Sequence, residues 1–351
     1  MIRPSEVSAA HPQSALARVV KSTLPGKMAL AAHRKRRVPA RTLETARLRR
    51  AERRQTVAAD AGADVGAVFM VPAGPGEWAP LSDTLASIRH YEPEAKVVVV
   101  ADGATELTRE LVEAQSPGAT LLRPPWPTGG PPRLSPAFSW AMRWILKTYR
   151  FHTLVKIDSD ALVTGRGLTA RAGARFADDP RLGMLGSTTV RADGVPSDLT
   201  YSAWVLNHER RWSRSIRQVV RAAERNGWQG EEAHGGVYLV ARRALEALEG
   251  EGWLRRQPPW WTLASEDLWY SVAVCACGLE IGSFGAPGET IASGQGFLPI
   301  PKQQVLDDGI LAIHSVRRGV DGEDEQELRR FFRAVRLGES EPAAQVEAPV
   351  A

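Results

Sequence analysis

Three short stretches of this 351-residue sequence carry residues of the types that do chemistry. The first is Asp158-Ser159-Asp160, which closes the apolar run Leu154 to Ile157 in "LVKIDSDALVTG". Two carboxylates at the tip of a buried strand are costly to desolvate and repel each other. If the strand continues through them, alternation points Asp158 and Asp160 the same way. A hard divalent cation neutralises such a pair. Mg²⁺ or Mn²⁺ takes few protein oxygens and completes its shell with water and substrate phosphates, which suggests a nucleoside-diphosphate substrate. Taken alone, the tripeptide also suits a solvated turn or a helix cap.

The second stretch is "SEDLWY", residues 265–270. Ser265 suits a helix cap, and Glu266 and Asp267 suit the positive end of a helix. A carboxylate there that faces a cleft also suits a general base. The third is His314 in the apolar "ILAIHSV". It reads either as a hydrogen-bonded core histidine or as an imidazole ligand, which suits Mn²⁺.

The elements that must position these residues follow a regular succession. "GAVFMVPAG", "AKVVVVADG", "ATLLRP" and "TLVKID" read as short apolar strands, with helical periodicity between them in "APLSDTLASIRHY", "TELTRELVEAQ" and "SPAFSWAMRWILKTY". Ser135 is the expected cap of the third helix, with Pro136 in its first turn. Alternating strands and helices predict an α/β sandwich with a mostly parallel sheet. Ligands in such sheets bind at the carboxyl ends of strands, where Pro72, Ala73, Asp102 and Asp158 fall. Further on, "PRLGMLGSTTV" reads as a strand and residues 200–228 as a long helix or a helix pair. "HGGVYLVARRALEALEG" reads as a turn, a strand and a helix. "SEDLWYSVAVCACGLEIGSFG" reads as a helix running into a strand near Leu279. "DGEDEQELRRFFRAVRLG" has acids first and arginines last, as a helix dipole prefers, and Gly338 suits its stop.

Composition bounds the rest. The two cysteines, Cys275 and Cys277, read as ordinary helix residues. No apolar run approaches the ~20 residues that span a bilayer, and the amino terminus lacks a signal-peptide pattern, so the chain reads as cytoplasmic. The net charge is +5, yet residues 1–60 hold 14 Lys+Arg against 4 Asp+Glu. The expected organisation is a basic arm over 1–62, a catalytic domain over 63–320 with halves 63–165 and 166–320, and a carboxyl-terminal helix with an acidic tail over 321–351. The arm reads as a flexible, solvated segment; its sharper reading is a peripheral contact of residues 34–54 with an anionic membrane face. No aromatic residues interleave there, so specific nucleic-acid binding is not expected.

In their order, these pieces resemble the GT-A family of nucleotide-sugar glycosyltransferases. The matching pieces are the strands and helices from residue 66, "KIDSDALV", "HGGVYLVARRAL", "SEDLWYSVAVCACG" and "AIHSV", covering roughly residues 66–318. The resemblance is strongest to the inverting galactosyl- and N-acetylglucosaminyltransferase branch. It implies a Rossmann-like three-layer sandwich and transfer of a sugar from a nucleotide-diphosphate sugar, by default a UDP-sugar, to an acceptor hydroxyl. The acceptor is a carbohydrate, a lipid-linked sugar or a small molecule. The resemblance also implies Asp160, Asp158 and His314 around Mn²⁺ or Mg²⁺, Asp267 as base, and Glu266 supporting it or facing the acceptor. Pro72, Ala73, Asp102, Arg133, Ser159, Gly235 and Gly236 are candidate donor contacts, and Trp260 and Trp261 candidate acceptor contacts. Each has a plain alternative: Asp102 in an Asp-Gly turn, Arg133 solvated in a loop, the glycines as a turn, the tryptophans as core or rim.

Three other readings stay open. A sugar-nucleotidyltransferase shares the sheet and the carboxylates, but "VPAGPGEW" has no Lys or Arg after the first strand. A non-catalytic binding protein would keep the fold and use the basic arm. A phosphatase of the haloacid dehalogenase type would carry its aspartates after the first strand rather than the fourth.

Overall fold

Each apolar run in the first half of the chain is followed by a helix that carries the chain back, and runs so connected pair in parallel. In the computed structural model, which describes residues 61–124, 134–259 and 262–339, these are β1 (Ala67–Ala73), β2 (Lys96–Ala101), β3 (Thr120–Leu122) and β4 (Thr153–Ile157). They alternate with α1 (Trp78–Tyr91), α2 (Arg109–Gln115) and α3 (Ser135–Thr148). The short β5 (Ala161–Val163), α4 (Leu168–Asp178) and β6 (Leu182–Gly186) follow. Next come α5 (Thr200–Glu209), α6 (Arg214–Arg225), β7 (Val237–Ala241), α7 (Arg242–Gly250), α8 (Glu266–Ala276) and β8 (Glu280–Ser283). The chain ends in β9 (Ile291–Ser293), α9 (Lys302–Asp307), β10 (Ala312–His314) and α10 (Glu325–Leu337).

The main sheet runs β3-β2-β1-β4-β7-β6-β8. Every pairing is parallel except those of β7, which is antiparallel to both β4 and β6. From β1 the chain moves outward to β2 and β3, then returns past β1 to β4. Right-handed crossovers place the helices of those two directions on opposite faces. The change of direction leaves a crevice at the carboxyl ends of β1 and β4, and Asp158 follows the last residue of β4. Leu154, Val155 and Ile157 of β4 are fully buried. Each such side chain contributes about 1.5–3 kcal/mol, and this offsets the burial of Lys156 among them.

A second sheet, β5-β10-β9, brings distant segments to that crevice. His314 lies opposite Ala161 of β5 and beside Ser293 of β9. Leu162, Ile313 and Val316 pack with Leu328, Phe331 and Phe332 of α10 in a separate apolar cluster. α10 opens with a capping box in which Glu327 N–H donates to Asp324 Oδ1 and Asp324 N–H to Glu327 Oε2, both at 2.9 Å. It closes at Gly338 with φ +69°, the stop expected from the sequence.

Of the two alternatives for residues 200–228 the helix pair is observed, α5 and α6, with Ser213 Oγ accepting Ile216 N–H at 3.3 Å to cap the second. One local expectation changes. Ser135 is not a cap but the first residue of α3, with Leu134 at the cap position. Its carbonyl accepts the Tyr270 hydroxyl at 2.8 Å, which ties α3 to α8. Cys275 and Cys277 are free thiols at the end of α8. The amino-terminal arm, including residues 34–54, and Arg133, Trp260 and Trp261 lie outside the described residues. No helix of the described residues is long and apolar enough to cross a membrane.

Candidate metal and catalytic site

The three residues expected to ligate a cation meet. One ligand atom each from Asp158, Asp160 and His314 lies within 4.8 Å of the others. The backbone explains the meeting. Asp158 N–H donates to Gly236 O at 2.8 Å, and Val316 N–H donates to Asp160 O at 3.0 Å. The turn is therefore held by the strand pairing on both sides. A hard-oxygen pair with one imidazole suits Mn²⁺ or Mg²⁺.

Each carboxylate already has a cation against it. Arg317 Nε lies 2.7 Å from Asp160 Oδ2, and His314 Nε2 lies 3.5 Å from Oδ1. Ser315 Oγ donates to Asp160 Oδ2 at 2.8 Å. Burial alone would raise the Asp160 carboxyl. His314, then Arg317 and the Ser315 hydroxyl, outweigh it and hold the group well below the ordinary carboxylate range. Asp158 Oδ1 lies 2.8 Å from Lys156 Nζ, whose other partner is Glu266 Oε1 at 3.2 Å.

Lys156 is the main residue that sequence reasoning passed over. It is fully buried, with its ammonium 5.6 Å from the Phe138 ring centroid and 5.4 Å from that of Tyr238. Burial alone would lower its pKa. Asp158 and Glu266 outweigh that and raise it, keeping the amine charged. Glu266 is buried too. Burial pushes its carboxyl up, Lys156 pulls it down, and repulsion from Asp267 and Asp158 leaves the net shift upward. The signal was present: a lone charge inside an apolar run is rarely fully buried unless paired.

Asp267 sits at the start of α8, where Ser265 takes the cap position without a side-chain cap bond. Gly235 N–H donates to Asp267 Oδ2 at 2.5 Å, and Leu268 N–H donates to Oδ1 at 2.9 Å. The two glycines before β7 are explained by the same packing. A Cβ on Gly235 would lie 2.8 Å from Asp267 Oδ2. A Cβ on Gly236, whose φ is +93°, would lie 2.1 Å from His314 Nδ1. Their missing side chains leave room for the two functional groups.

Other expected donor contacts lie around the crevice. Pro72 and Ala73 end β1, and Asp102 follows β2 with its N–H donating to Ala73 O at 2.9 Å. Ser159 Oγ donates to Glu77 Oε2 at 3.1 Å, and the same oxygen accepts Gly74 N–H at 2.6 Å. A carboxylate thus fills the loop after β1, where a triphosphate-binding loop would need a cation.

Two further buried groups adjoin Asp267. Glu232 accepts Ser202 Oγ at 3.0 Å through Oε1, and its carboxyl is pushed up to about 8 by burial and then by the charge of Asp267. His234 is lowered, chiefly by burial. Neither carries a sequence signal beyond residue type. A concavity of about 640 Å³ lies at the other end of the sheet, lined by Phe151, His152, Phe176, Arg242 and Glu246 among others.

No family model and no curated protein matches the chain. Solved structures do. A mannosyltransferase from Pyrobaculum calidifontis, in complex with GDP-Man and Mn²⁺, aligns over 88% of this chain and 72% of its own, at 18% identity and a TM-score of 0.42. The galactosyltransferase LgtC, in complex with donor and acceptor sugar analogs, aligns over 79% and 98%, at 11% identity and 0.42. Glucosyl-3-phosphoglycerate synthase from Mycobacterium tuberculosis, in complex with Mn²⁺, UDP-glucose and phosphoglyceric acid, aligns over 78% and 80%, at 12% identity and 0.36. The α/β sandwich with a mostly parallel central sheet expected from the sequence is the one observed. Chemistry has to come from the side chains.

Proposed function

We propose that the protein is an inverting glycosyltransferase that moves a sugar from a nucleotide-diphosphate sugar, UDP-linked by default, to an acceptor hydroxyl. The observation that carries this reading is the convergence of Asp158, Asp160 and His314 at the switch of the parallel sheet, with Asp267 bound to the same Gly-Gly segment. A divalent Mn²⁺ or Mg²⁺ held by Asp158, Asp160 and His314 would supply electrostatic stabilisation of the leaving diphosphate.

The chain's own residues divide the remaining work. An acceptor hydroxyl is a weak nucleophile, and Asp267 takes its proton as its oxygen attacks the anomeric carbon. The bond from that carbon to the diphosphate oxygen breaks, and its electron pair leaves with the nucleoside diphosphate. A single displacement with base and leaving group on opposite faces inverts the anomeric centre. The N–H groups of Gly235 and Leu268 each use one lone pair of the Asp267 carboxylate; they fix its plane and leave other lone pairs for the proton. Glu266 supports the base indirectly by anchoring Lys156. Arg317 has an exposed side chain, so it has room to turn from Asp160 to a donor phosphate. Pro72, Ala73 and Asp102 are proposed to meet the nucleoside, with Ser159 and the Gly235-Gly236 segment shaping the donor side. Arg133 is proposed to meet a phosphate and Trp260 and Trp261 the acceptor, a carbohydrate, lipid-linked sugar or small molecule.

The test is a panel of nucleotide sugars with and without Mn²⁺, read by nucleotide binding and by transfer or hydrolysis. Asp160→Ala is expected to abolish metal-dependent nucleotide binding. Asp267→Asn is expected to keep that binding and to lose turnover by ~10²–10⁴-fold. Nucleotide binding that ignores both the metal and the substitutions would refute the proposal.

A further inference from the structure

α10 reaches the D-x-D turn through Arg329. Arg329 Nη2 donates to Ser159 O at 3.0 Å. The same guanidinium reaches Asp83 Oδ2 at 3.2 Å and Pro80 O at 3.3 Å through Nη1, and Glu325 Oε1 at 2.9 Å through Nε. Arg336 Nη2 donates to Asp83 Oδ1 at 2.8 Å, and Arg333 Nη2 lies 3.4 Å from that oxygen. Asp83 on α1 is 1% exposed, so three arginines of one helix converge on a buried carboxylate. The hydroxyl of Thr84, the next residue of α1, lies 2.8 Å from Ser159 O and 2.7 Å from Ala161 O and shares its one proton between them. The carbonyl between the two candidate ligands is therefore approached by one donor from α1 and one from α10, and Asp83 locks those helices together.

We propose that α10 is a positioning strap for the candidate metal site and that Arg329 is the residue through which it acts. This rests on the reading of Asp158, Asp160 and His314 as a divalent-cation site. Arg329 touches no ligand atom. It fixes the peptide plane between Asp158 and Asp160, and so the spacing of their carboxylates. Substitution of residues that orient metal ligands typically weakens metal binding by about 10–100-fold. Arg336 supplies a control, because its guanidinium shares Asp83 and is bonded there rather than to the turn.

The experiment titrates the full chain with Mn²⁺, followed by electron paramagnetic resonance of free Mn²⁺ well below the unfolding temperature. Thermal unfolding is recorded beside it. Arg329→Met is expected to weaken Mn²⁺ binding by about tenfold or more. Arg336→Met is expected to lower the unfolding temperature comparably and to leave Mn²⁺ affinity within about twofold of the parent. If Arg329→Met does not fold, Arg329→Lys carries the test. It keeps the charge beside Asp83 but cannot span Asp83 and Ser159 O with a planar fork, so the same weakening is expected. Unchanged affinity in the Arg329 variants, or equal weakening in Arg329 and Arg336 variants, overturns the strap. Failure of the unsubstituted protein to bind Mn²⁺ overturns the cation-site reading instead.

Discussion

Around Lys156 one buried cation meets the carboxylates of Asp158 and Glu266, with Asp267 adding to the same field. Around Asp83 one buried carboxylate meets the guanidinium groups of Arg329, Arg333 and Arg336. The two clusters sit on either side of one turn and have opposite surpluses. The difference lies in what neutralises each surplus. At Asp83 the extra positive charge is taken up within the chain, by Glu325 and by the carbonyls of Pro80 and Ser159. At Lys156 the extra negative charge borders three atoms spaced to hold a cation from solution. One cluster is balanced within the chain, and on the proposed reading the other is balanced by a bound cation.

Removing the sole member of each cluster tests this most strongly. Lys156→Met leaves the buried Glu266 and the partly buried Asp158 without their shared cation, and Asp83→Asn leaves the near-buried Arg329 and Arg336 without their shared carboxylate. Breaking a buried pair in this way costs about 3–5 kcal/mol, and both variants are expected to unfold at much lower temperature in a thermal melt. Mn²⁺ separates them. It should raise the unfolding temperature of Lys156→Met by more than it raises that of the parent, because it binds the folded state and replaces a lost positive charge. Asp83→Asn should gain no more than the parent. Equal gains in the two variants would erase the distinction between the clusters.

Gly236→Ala is the next largest effect. A side chain at φ +93° is strained, and its Cβ would meet His314 Nδ1. Strain of this kind costs about 1–3 kcal/mol. The loss should appear both in the melt and as weaker Mn²⁺ binding, whereas an alanine at Gly173, inside α4 with free space for its Cβ, should leave Mn²⁺ binding unchanged and raise the unfolding temperature slightly.

The first half of the fold was legible because its strands announce themselves: β1, β2 and β4 are buried along nearly their whole lengths. The second sheet was legible only at one strand: the apolar "ILAIHSV" marks β10, whereas β5 and β9 are three residues each with no longer apolar run read as a strand around them. Periodicity over three residues decides nothing. The candidate ligands and Asp267 were legible from residue type and order. Their supports were less so. Lys156 was absorbed into an apolar run, although its charge marked it. The arginines of α10 already had a sufficient explanation in the helix dipole. Their partner Asp83 lies 246 residues before Arg329, a distance over which one sequence holds no pairing signal. Ser315 and Arg317 were hidden for the same reason, because only the pairing of β10 with β5 brings them to Asp160.

The smallest effect separates the clusters by their response to pH. Glu232 adjoins Asp267 and has its carboxyl pushed up to about 8, against an ordinary value of 4.5. Between those values the folded protein holds a proton that the unfolded chain has released. Stability therefore falls as pH rises through that window and levels off above about 8. Glu266 is also raised and contributes with the same sign. His234 is lowered, so below the ordinary histidine value of 6.5 it contributes a slope of the opposite sign. The difference between the parent and Glu232→Gln isolates one group from this sum. Its unfolding temperature should fall less than the parent's between pH 5 and pH 8, by about a few degrees. Arg336→Met, on the other side of the turn, should lower the unfolding temperature across the whole range, because arginine keeps its charge throughout, with a smaller loss at the acidic end where its repulsion of protonated His90 is relieved. Parallel pH profiles for the parent and Glu232→Gln would show that burial beside Asp267 does not hold the proton, and would remove pH as a way of telling the clusters apart.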